Sequence, residues 1–261
     1  MYLFFIKKNF YDGWDNMLTL IVINLVVMAA SLGLLSLVYA LQQSVPVVIA
    51  LILVSGIVIS ILALASGEVA SSAANFGSAH IADFFRAIPS CIADGIRLGL
   101  LLGVVGAASY VCIPFYFAQK TLIAIFIGAM FVWLVVFTLL SLQWFVAIRS
   151  LMHNDFKKCL KKCFLIFFDN VPFSLFTALY DFFLTVLSVF FFGLLPSLSG
   201  ITLAQVNALR LRLYKYDYYE AHPELKTPKE KRYIPWDELL QNDKETLGPR
   251  SFKSLIFPWK E

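Results

Sequence analysis

The sequence predicts an all-α protein, a polytopic transmembrane helix bundle of about six spans with a cytoplasmic C-terminal tail. Three observations predict it. Of the 261 residues, 60% are hydrophobic and 15% are charged; mean hydropathy is +0.78; and long uncharged runs recur up to residue 213. An ordinary soluble domain carries about 25% charged residues. Soluble, disordered and disulfide-rich classes are therefore excluded.

Four uncharged runs have the length of a membrane-spanning helix. They cover residues 17–41, 45–66, 98–118 and 121–148. A helix needs about 20 apolar residues to cross a bilayer. Each run therefore predicts one span.

The next apolar stretch is broken by prolines and polar residues, and the basic residues at its ends decide how often it crosses. Lysines precede it at 157–162, and Arg210 and Arg212 follow near its end. Clusters this basic are expected on the same, cytoplasmic side, which requires an even number of crossings. We predict a fifth span at 171–195 and a short sixth span at 201–213, with a re-entrant hairpin as the alternative to the sixth.

The basic residues also predict the orientation. With the N-terminus inside, Lys120 is the only Lys or Arg of the first 213 residues that lies outside. The positive-inside rule therefore places both termini in the cytoplasm.

Polar residues within the spans are candidate functional groups, because burying them in lipid is costly. Asp181 lies nearest the centre of the fifth span and is the best candidate for a proton or cation site. Asn24, Gln205 and Asn207 complete the set. In the alternative interpretation, the Asp181 carboxyl is protonated or hydrogen-bonded to Gln205 or Asn207 and holds two helices together.

Small residues indicate where helices approach closely. Gly99, Gly103 and Ala107 recur every four residues in the third span, a spacing that favours tight helix packing in lipid. The preceding stretch, 81–97, alternates charged and apolar residues, which predicts an amphipathic surface helix interrupted at Pro89.

We find no motif for catalysis, metal binding or a cofactor. The three histidines lack ligand spacing, and the basic residues lie at membrane edges rather than along one face, which argues against a nucleic-acid partner. Cys159 and Cys163 lie among lysines, so they are either thiols of lowered pKa, lipidation sites, or ordinary cysteines at a membrane edge. We expect a non-enzymatic protein without a cofactor.

The tail, residues 214–261, is densely charged and rich in aromatic residues. A disordered tail is normally poor in aromatics. We therefore expect it to dock, either on the protein's own cytoplasmic loops or the membrane surface, or on a soluble partner. The candidate docking residues are Trp236, Leu239, Leu240, Phe257 and Trp259.

Four short features have a family counterpart: Asn24-Leu25 in the first span, the small-residue segment 70–77, the Asp83-Phe84-Phe85-Arg86-Ala87 step, and Pro196 before a short final helix. Over roughly residues 10–213, the chain resembles the YesL-like (DUF624) family of bacterial integral membrane proteins. The span at 45–66 departs from the compact form of that family. The resemblance implies an accessory protein of the bacterial inner membrane, associated with a carbohydrate ABC importer and without an established reaction.

Two functions are therefore expected from the sequence. The first is a non-enzymatic accessory or scaffold subunit that contacts the lipid bilayer and other membrane or cytoplasmic subunits. The second is a small self-contained permease or channel that uses the intramembrane polar residues.

Overall fold

Helices form all the regular secondary structure of residues 1–224 and 233–250, the part of the chain that the computed structural model describes. In chain order they are α1 (Tyr2–Asp15), α2 (Met17–Ala40), α3 (Val45–Ala74), α4 (Ile81–Ala118), α5 (Leu122–Leu142), α6 (Phe145–Met152), α7 (Phe156–Asp169), α8 (Val171–Phe190), α9 (Ser197–Ala221), α10 (Trp236–Leu239) and α11 (Gln241–Leu247).

Five apolar stretches in these residues are long enough to cross a membrane: α2, α3, α4, α8, and the run Leu122–Met152 that joins α5 to α6. The all-α membrane class is thus confirmed, with one such stretch fewer than the six predicted spans. The missing one is α9. It is 25 residues long, but three basic residues lie within it.

Several predicted boundaries differ in the structure: α8 ends at Phe190 rather than 195, α9 extends over Ser197–Ala221, and the largest differences lie in α3 and α4. α3 continues through the small-residue segment to Ala74, because Ala, Ser and Gly side chains let this end of the helix pack closely and become buried. α4 is one helix of 38 residues that contains Pro89, so the separate surface helix predicted at 81–97 is wrong. Its charged first half packs on α3 rather than lying apart.

The outer parts of α2, α3, α4 and α5 are here called the helix row. α3 packs against α2 and α4, α4 packs against α5, and α2 also contacts α4. Apolar side chains on all four helices are exposed along this row: Leu35, Ile52, Val104 and Phe126 among others. This exposed apolar surface is suited to contact with lipid or with the spans of another protein.

The buried core lies at the other end of the molecule, around α9. This helix packs against α1, α2, α3, α6 and α8. Leu203, Ala204, Val206, Ala208 and Leu209 on α9 are almost completely buried. Short amphipathic helices close this core from outside.

The turn between α8 and α9 lies beside the first third of α2. Asn24 donates hydrogen bonds from Nδ2 to the carbonyl oxygens of Leu194 and Pro196, at 2.8 and 2.9 Å. Beyond Asn24, α2 continues for another 16 residues to Ala40, about 24 Å at ~1.5 Å per residue. The α8–α9 hairpin therefore ends well short of the far end of α2.

Contacts between α3 and α9 show that α9, like the α8–α9 turn, lies beside only one end of its neighbouring long helix. Ser66 hydrogen-bonds to Thr202 at 2.9 Å, and Arg210 donates to the Ala74 carbonyl at 2.9 Å. Both contacts lie on the last nine residues of α3, from Ser66 to Ala74. α9 thus runs along the inner end of α3, while the outer end of α3 belongs to the helix row.

Two helices were missed by the sequence analysis. α1 precedes the first span, and α7 contains the lysines at 157–162 that precede the fifth predicted span. α7 buries Cys159, Cys163 and Ile166 on one face, while Lys158 and Lys161 are exposed on another. The spacing of those buried residues is helical, but the lysines between them hide the pattern in a search for uncharged runs.

Candidate functional site

The structure brings two of the four predicted intramembrane polar residues together. Gln205 Nε2 on α9 donates to Asp181 Oδ2 on α8 at 2.9 Å. The second carboxylate oxygen, Oδ1, is buried and has no hydrogen-bond partner. No Lys, Arg or His nitrogen in the described residues lies within 4.0 Å of this carboxylate. This is a carboxyl with one buried, unsatisfied oxygen.

Asn24 lies apart from that pair and fastens the α8–α9 turn. Besides its two donated bonds, its Oδ1 accepts from the Ser199 backbone N–H at 3.0 Å. The Ser199 hydroxyl in turn donates to the Leu20 carbonyl at 3.1 Å. Every polar atom of the Asn24 amide group is used by backbone groups, so its contacts are structural.

Asn207 belongs to a third group, formed with α1. Its Nδ2 donates to Asp12 Oδ2 at 2.9 Å and to Asn9 Oδ1 at 3.2 Å. Asp12 is also paired with Lys8 at 2.6 Å, and both charged side chains are buried. Burial lowers the pKa of Lys8 and raises that of Asp12, and their attraction opposes both shifts.

An ion cluster that the sequence analysis did not predict joins α3, α4 and α6. Arg149 Nε donates to Asp94 Oδ2 at 2.8 Å, and Arg149 Nη1 lies 3.4 Å from Glu68 Oε1. Asp94 also pairs with Arg97, three residues further along α4, at 3.2 Å. Glu68 and Arg149 are 81 residues apart, so no local pattern reveals their contact.

A second cluster lies where α7, α8 and α9 meet. Lys215 Nζ donates to Asp169 Oδ2 at 2.7 Å and to Asn170 Oδ1 at 2.8 Å. Burial alone would raise the pKa of Asp169, but hydrogen bonds from Lys215 and Tyr216 hold it below its usual range. Arg212 lies beside this cluster and is buried.

The tail docks on the chain itself between Tyr233 and Arg250. Arg210 forms a two-pronged ion pair with Asp243, with both N···O distances at 3.0 Å. Leu240 is buried in the core, and Trp236 packs against the same core. Leu239 is half-buried in α10. Phe257 and Trp259 lie outside the described residues.

Glycines on α4 determine its approach to α3. A Cβ atom on Gly99 would lie 2.6 Å from the Ile57 Cα atom, and one on Gly95 would lie 2.8 Å from the Ile61 Cα atom. Gly103 faces the side chain of Leu53, whereas Ala107 is exposed. The stripe in contact with α3 is therefore Gly95, Gly99 and Gly103, shifted one step from the predicted one.

The two cysteines of α7 are buried, and their thiols are not made more acidic. Cys159 and Cys163 face the core, and burial raises the pKa of both thiols above the ordinary value. The interpretation as thiols of lowered pKa is therefore wrong.

The polar groups described above can be judged by whether they could hold a metal ion and by whether they are paired. Within residues 1–224 and 233–250, no three His, Cys, Asp or Glu side chains are arranged to hold a metal ion. The buried polar groups mostly pair with one another across helices, which stabilises the inner core. Among the described residues, Asp181 and Arg212 are the two charged side chains that lack an oppositely charged neighbour within 4.0 Å and keep a buried atom without a hydrogen-bond partner.

No family model, curated protein or solved structure matches this chain. The likeness to the YesL-like family therefore stays a prediction.

Proposed function

We propose that this protein is a non-enzymatic accessory subunit of a bacterial inner-membrane assembly. The assembly implied by the family resemblance is a carbohydrate ABC importer. Both termini lie in the cytoplasm, and four helices, α2 to α5, cross the membrane fully. The α8–α9 hairpin enters from the cytoplasmic side and turns back within the bilayer. This arrangement keeps Arg149, Arg210 and Arg212 on the cytoplasmic side.

The exposed apolar surface of the helix row is the observation that carries this proposal. A solute path through a membrane needs polar groups that are kept away from lipid, because lipid-exposed polar groups are expensive. The runs 17–41, 45–66, 98–118 and 121–148 carry no charged residue to line such a path. Exposed apolar side chains on α2 and α4, such as Leu35 and Val104, fit lipid or the spans of another subunit.

The alternative is a self-contained permease, and the buried oxygen of Asp181 favours it. An intramembrane carboxyl without a basic partner is a typical proton or cation site. In this alternative, replacing Asp181 with Asn abolishes solute flux in vesicles that contain only this protein. Unchanged flux, or none from the unmodified protein, removes the alternative.

Affinity purification from native membranes in mild detergent tests the accessory role. We would compare the full chain with a variant that ends at Arg250 and so lacks Phe257 and Trp259. The docked segment, including the Arg210–Asp243 pair, stays intact in that variant. A third variant, Leu35→Ala, keeps the tail and removes an exposed apolar side chain from the helix row.

We expect a membrane protein to co-purify in stoichiometric amount with the full chain. If the segment after Arg250 holds the partner, the shortened variant loses it. If the helix row holds the partner, Leu35→Ala weakens its recovery. A full chain that purifies alone and transports a solute unaided would contradict the proposal.

A further inference from the structure

A cavity of about 420 Å³ opens where the N-terminal end of α1, the C-terminal half of α9 and the tail meet. Its walls combine aromatic and cationic side chains. They are Met1, Tyr2, Arg212, Lys215, Tyr219, Ile234 and Trp236. We call it the Arg212 cavity. None of the contacts described for the helix row or for Asp181 involves it.

Arg212 is the unusual member of this wall. It is 6% exposed, yet no carboxylate oxygen of the described residues lies within 4.0 Å of its guanidinium. Nη1 is 3.4 Å from Asn170 Oδ1 and Nη2 is 3.0 Å from Met1 Sδ. Nε is buried and has no hydrogen-bond partner. Arginine in such a place normally pairs with an anion.

Aromatic rings hold the guanidinium in place. Its Cζ lies 3.7 Å from the Phe173 ring centroid and 5.4 Å from that of Trp236. Cation–π contacts of this kind offset part of the cost of burial, but they supply no hydrogen-bond acceptor for the Nε–H group. Burial lowers the pKa of Arg212 to about 10, which still leaves it charged at neutral pH.

The two cationic side chains of the cavity differ in their partners. Lys215 pairs with Asp169 at 2.7 Å. Arg212 has no carboxylate partner within 4.0 Å among the described residues. A guanidinium fork matches the oxygens of phosphate and carboxylate groups in geometry and charge. A cavity of this size is at the lower end of small-molecule sites, about 300–1,000 Å³.

We propose that the Arg212 cavity binds a phosphate group, with Arg212 as its principal ligand and Lys215 and the aromatic walls beside it. The phosphate belongs either to a soluble small molecule or to the headgroup of an anionic phospholipid. This proposal does not depend on the accessory role, because the cavity lies in the inner core and not in the helix row.

The test measures thermal unfolding of the full chain with two probes. The first is inorganic phosphate added to protein in nanodiscs of phosphatidylcholine. The second is a change of the nanodisc lipid to a mixture of phosphatidylcholine and phosphatidylglycerol, without phosphate. Arg212→Met removes the charge and keeps the length of the side chain. Arg86→Met is the matched control, since Arg86 is an exposed arginine far along the chain on α4.

We expect one probe to raise the unfolding temperature in a saturable way. Arg212→Met should weaken that response at least about tenfold in apparent affinity, while Arg86→Met retains it. Without ligand, Arg212→Met should unfold at the same temperature as the parent or higher, because an unpaired buried charge is removed.

The two probes separate the sources of the phosphate group. A response to inorganic phosphate indicates a soluble phosphate compound, and a response to phosphatidylglycerol alone indicates a lipid headgroup. Two results overturn the proposal directly: no response to either probe, or an unchanged response in Arg212→Met. A third is a lower unfolding temperature of ligand-free Arg212→Met than of the parent, because it would show that Arg212 stabilises the fold instead of binding a ligand.

Discussion

At the scale of single residues, most buried polar groups of this protein are paired across helices. Both polar atoms of the Asn24 amide group form hydrogen bonds with backbone groups at the α8–α9 turn and the start of α9. Asn207 hydrogen-bonds to Asp12 and so joins α9 to the Lys8–Asp12 pair. A buried polar group costs free energy unless it is hydrogen-bonded. These contacts therefore stabilise one arrangement of α1, α2 and α9. Among the described Asp, Glu, Lys and Arg side chains, Asp181 and Arg212 each keep a buried atom without a hydrogen-bond partner, and these two point to function.

Asp169 should make stability depend on pH. Its pKa is depressed in the folded protein, so its contribution is present above the unfolded-state pKa, about 3.9, and is lost as the pH falls through the folded value. We expect Asp169→Asn to unfold at a lower temperature than the parent at pH 7. The difference should shrink as the pH approaches 3.

The control for this prediction is Asp155→Asn. Asp155 forms an exposed pair with Lys158, with a side chain that is 82% exposed, and exposed pairs contribute little. Equal unfolding temperatures of Asp169→Asn and the parent at pH 7, in the same detergent, would contradict the assignment of Asp169 to a stabilising pair.

At the scale of helices, the contact between α3 and α4 depends on glycine. The backbone of Ile57 lies so close to Gly99 that a methyl group cannot fit without moving one helix. Close approach through small residues is a usual way for helices to associate in lipid. The position of α4 in the helix row follows from this stripe.

Gly99→Ala should destabilise the protein by about 1–3 kcal/mol, because the added methyl group overpacks the contact. Gly106→Ala is the matched control on the same helix, since nothing lies within 4 Å of its added carbon. Alanine favours a helix over glycine by up to ~1 kcal/mol, so this control should be neutral or more stable. Denaturation in mixed micelles compares the two variants, and equal effects would refute the close contact.

The sequence predicts the helix row well and the inner core poorly. Uncharged runs identify α2 to α5 because lipid demands about 20 apolar residues in each. α1 and α7 carry charges on one face, so no uncharged run marks them. Contacts such as Glu68 with Arg149 join residues far apart in the chain, and no local spacing indicates them. Asp181 and Gln205 were paired in one interpretation because their helices are consecutive.

At the scale of the whole molecule, the α8–α9 hairpin and the helix row have different depths. The turn near Phe191 lies beside Asn24, whereas the loop between α2 and α3 lies at the other end of α2. This difference in depth predicts that the α2–α3 loop is accessible from outside the cell and that the α8–α9 turn is not. A hairpin that turns back within the bilayer also keeps the basic clusters at its two ends on the same side of the membrane, as the positive-inside rule requires.

Labelling of intact cells with a membrane-impermeant maleimide checks that difference. In a background where the partly exposed Cys112 is replaced by Ala, we expect Gln42→Cys to react and Phe191→Cys not to react. Lys158→Cys, on the predicted cytoplasmic side, should react after permeabilisation only. Equal labelling of Phe191→Cys and Gln42→Cys in intact cells would show that the hairpin crosses the membrane.

The central claim is that the exposed apolar surface of the helix row contacts another protein, and photo-crosslinking in native membranes tests it most directly. A benzoylphenylalanine placed at Phe126 or Trp133 replaces an exposed aromatic residue on α5, 65% and 60% exposed. The same group at the fully buried Phe145 is the control. The account predicts a discrete adduct with a second protein from the α5 positions and none from the control. Adducts with lipid alone at both α5 positions would contradict it.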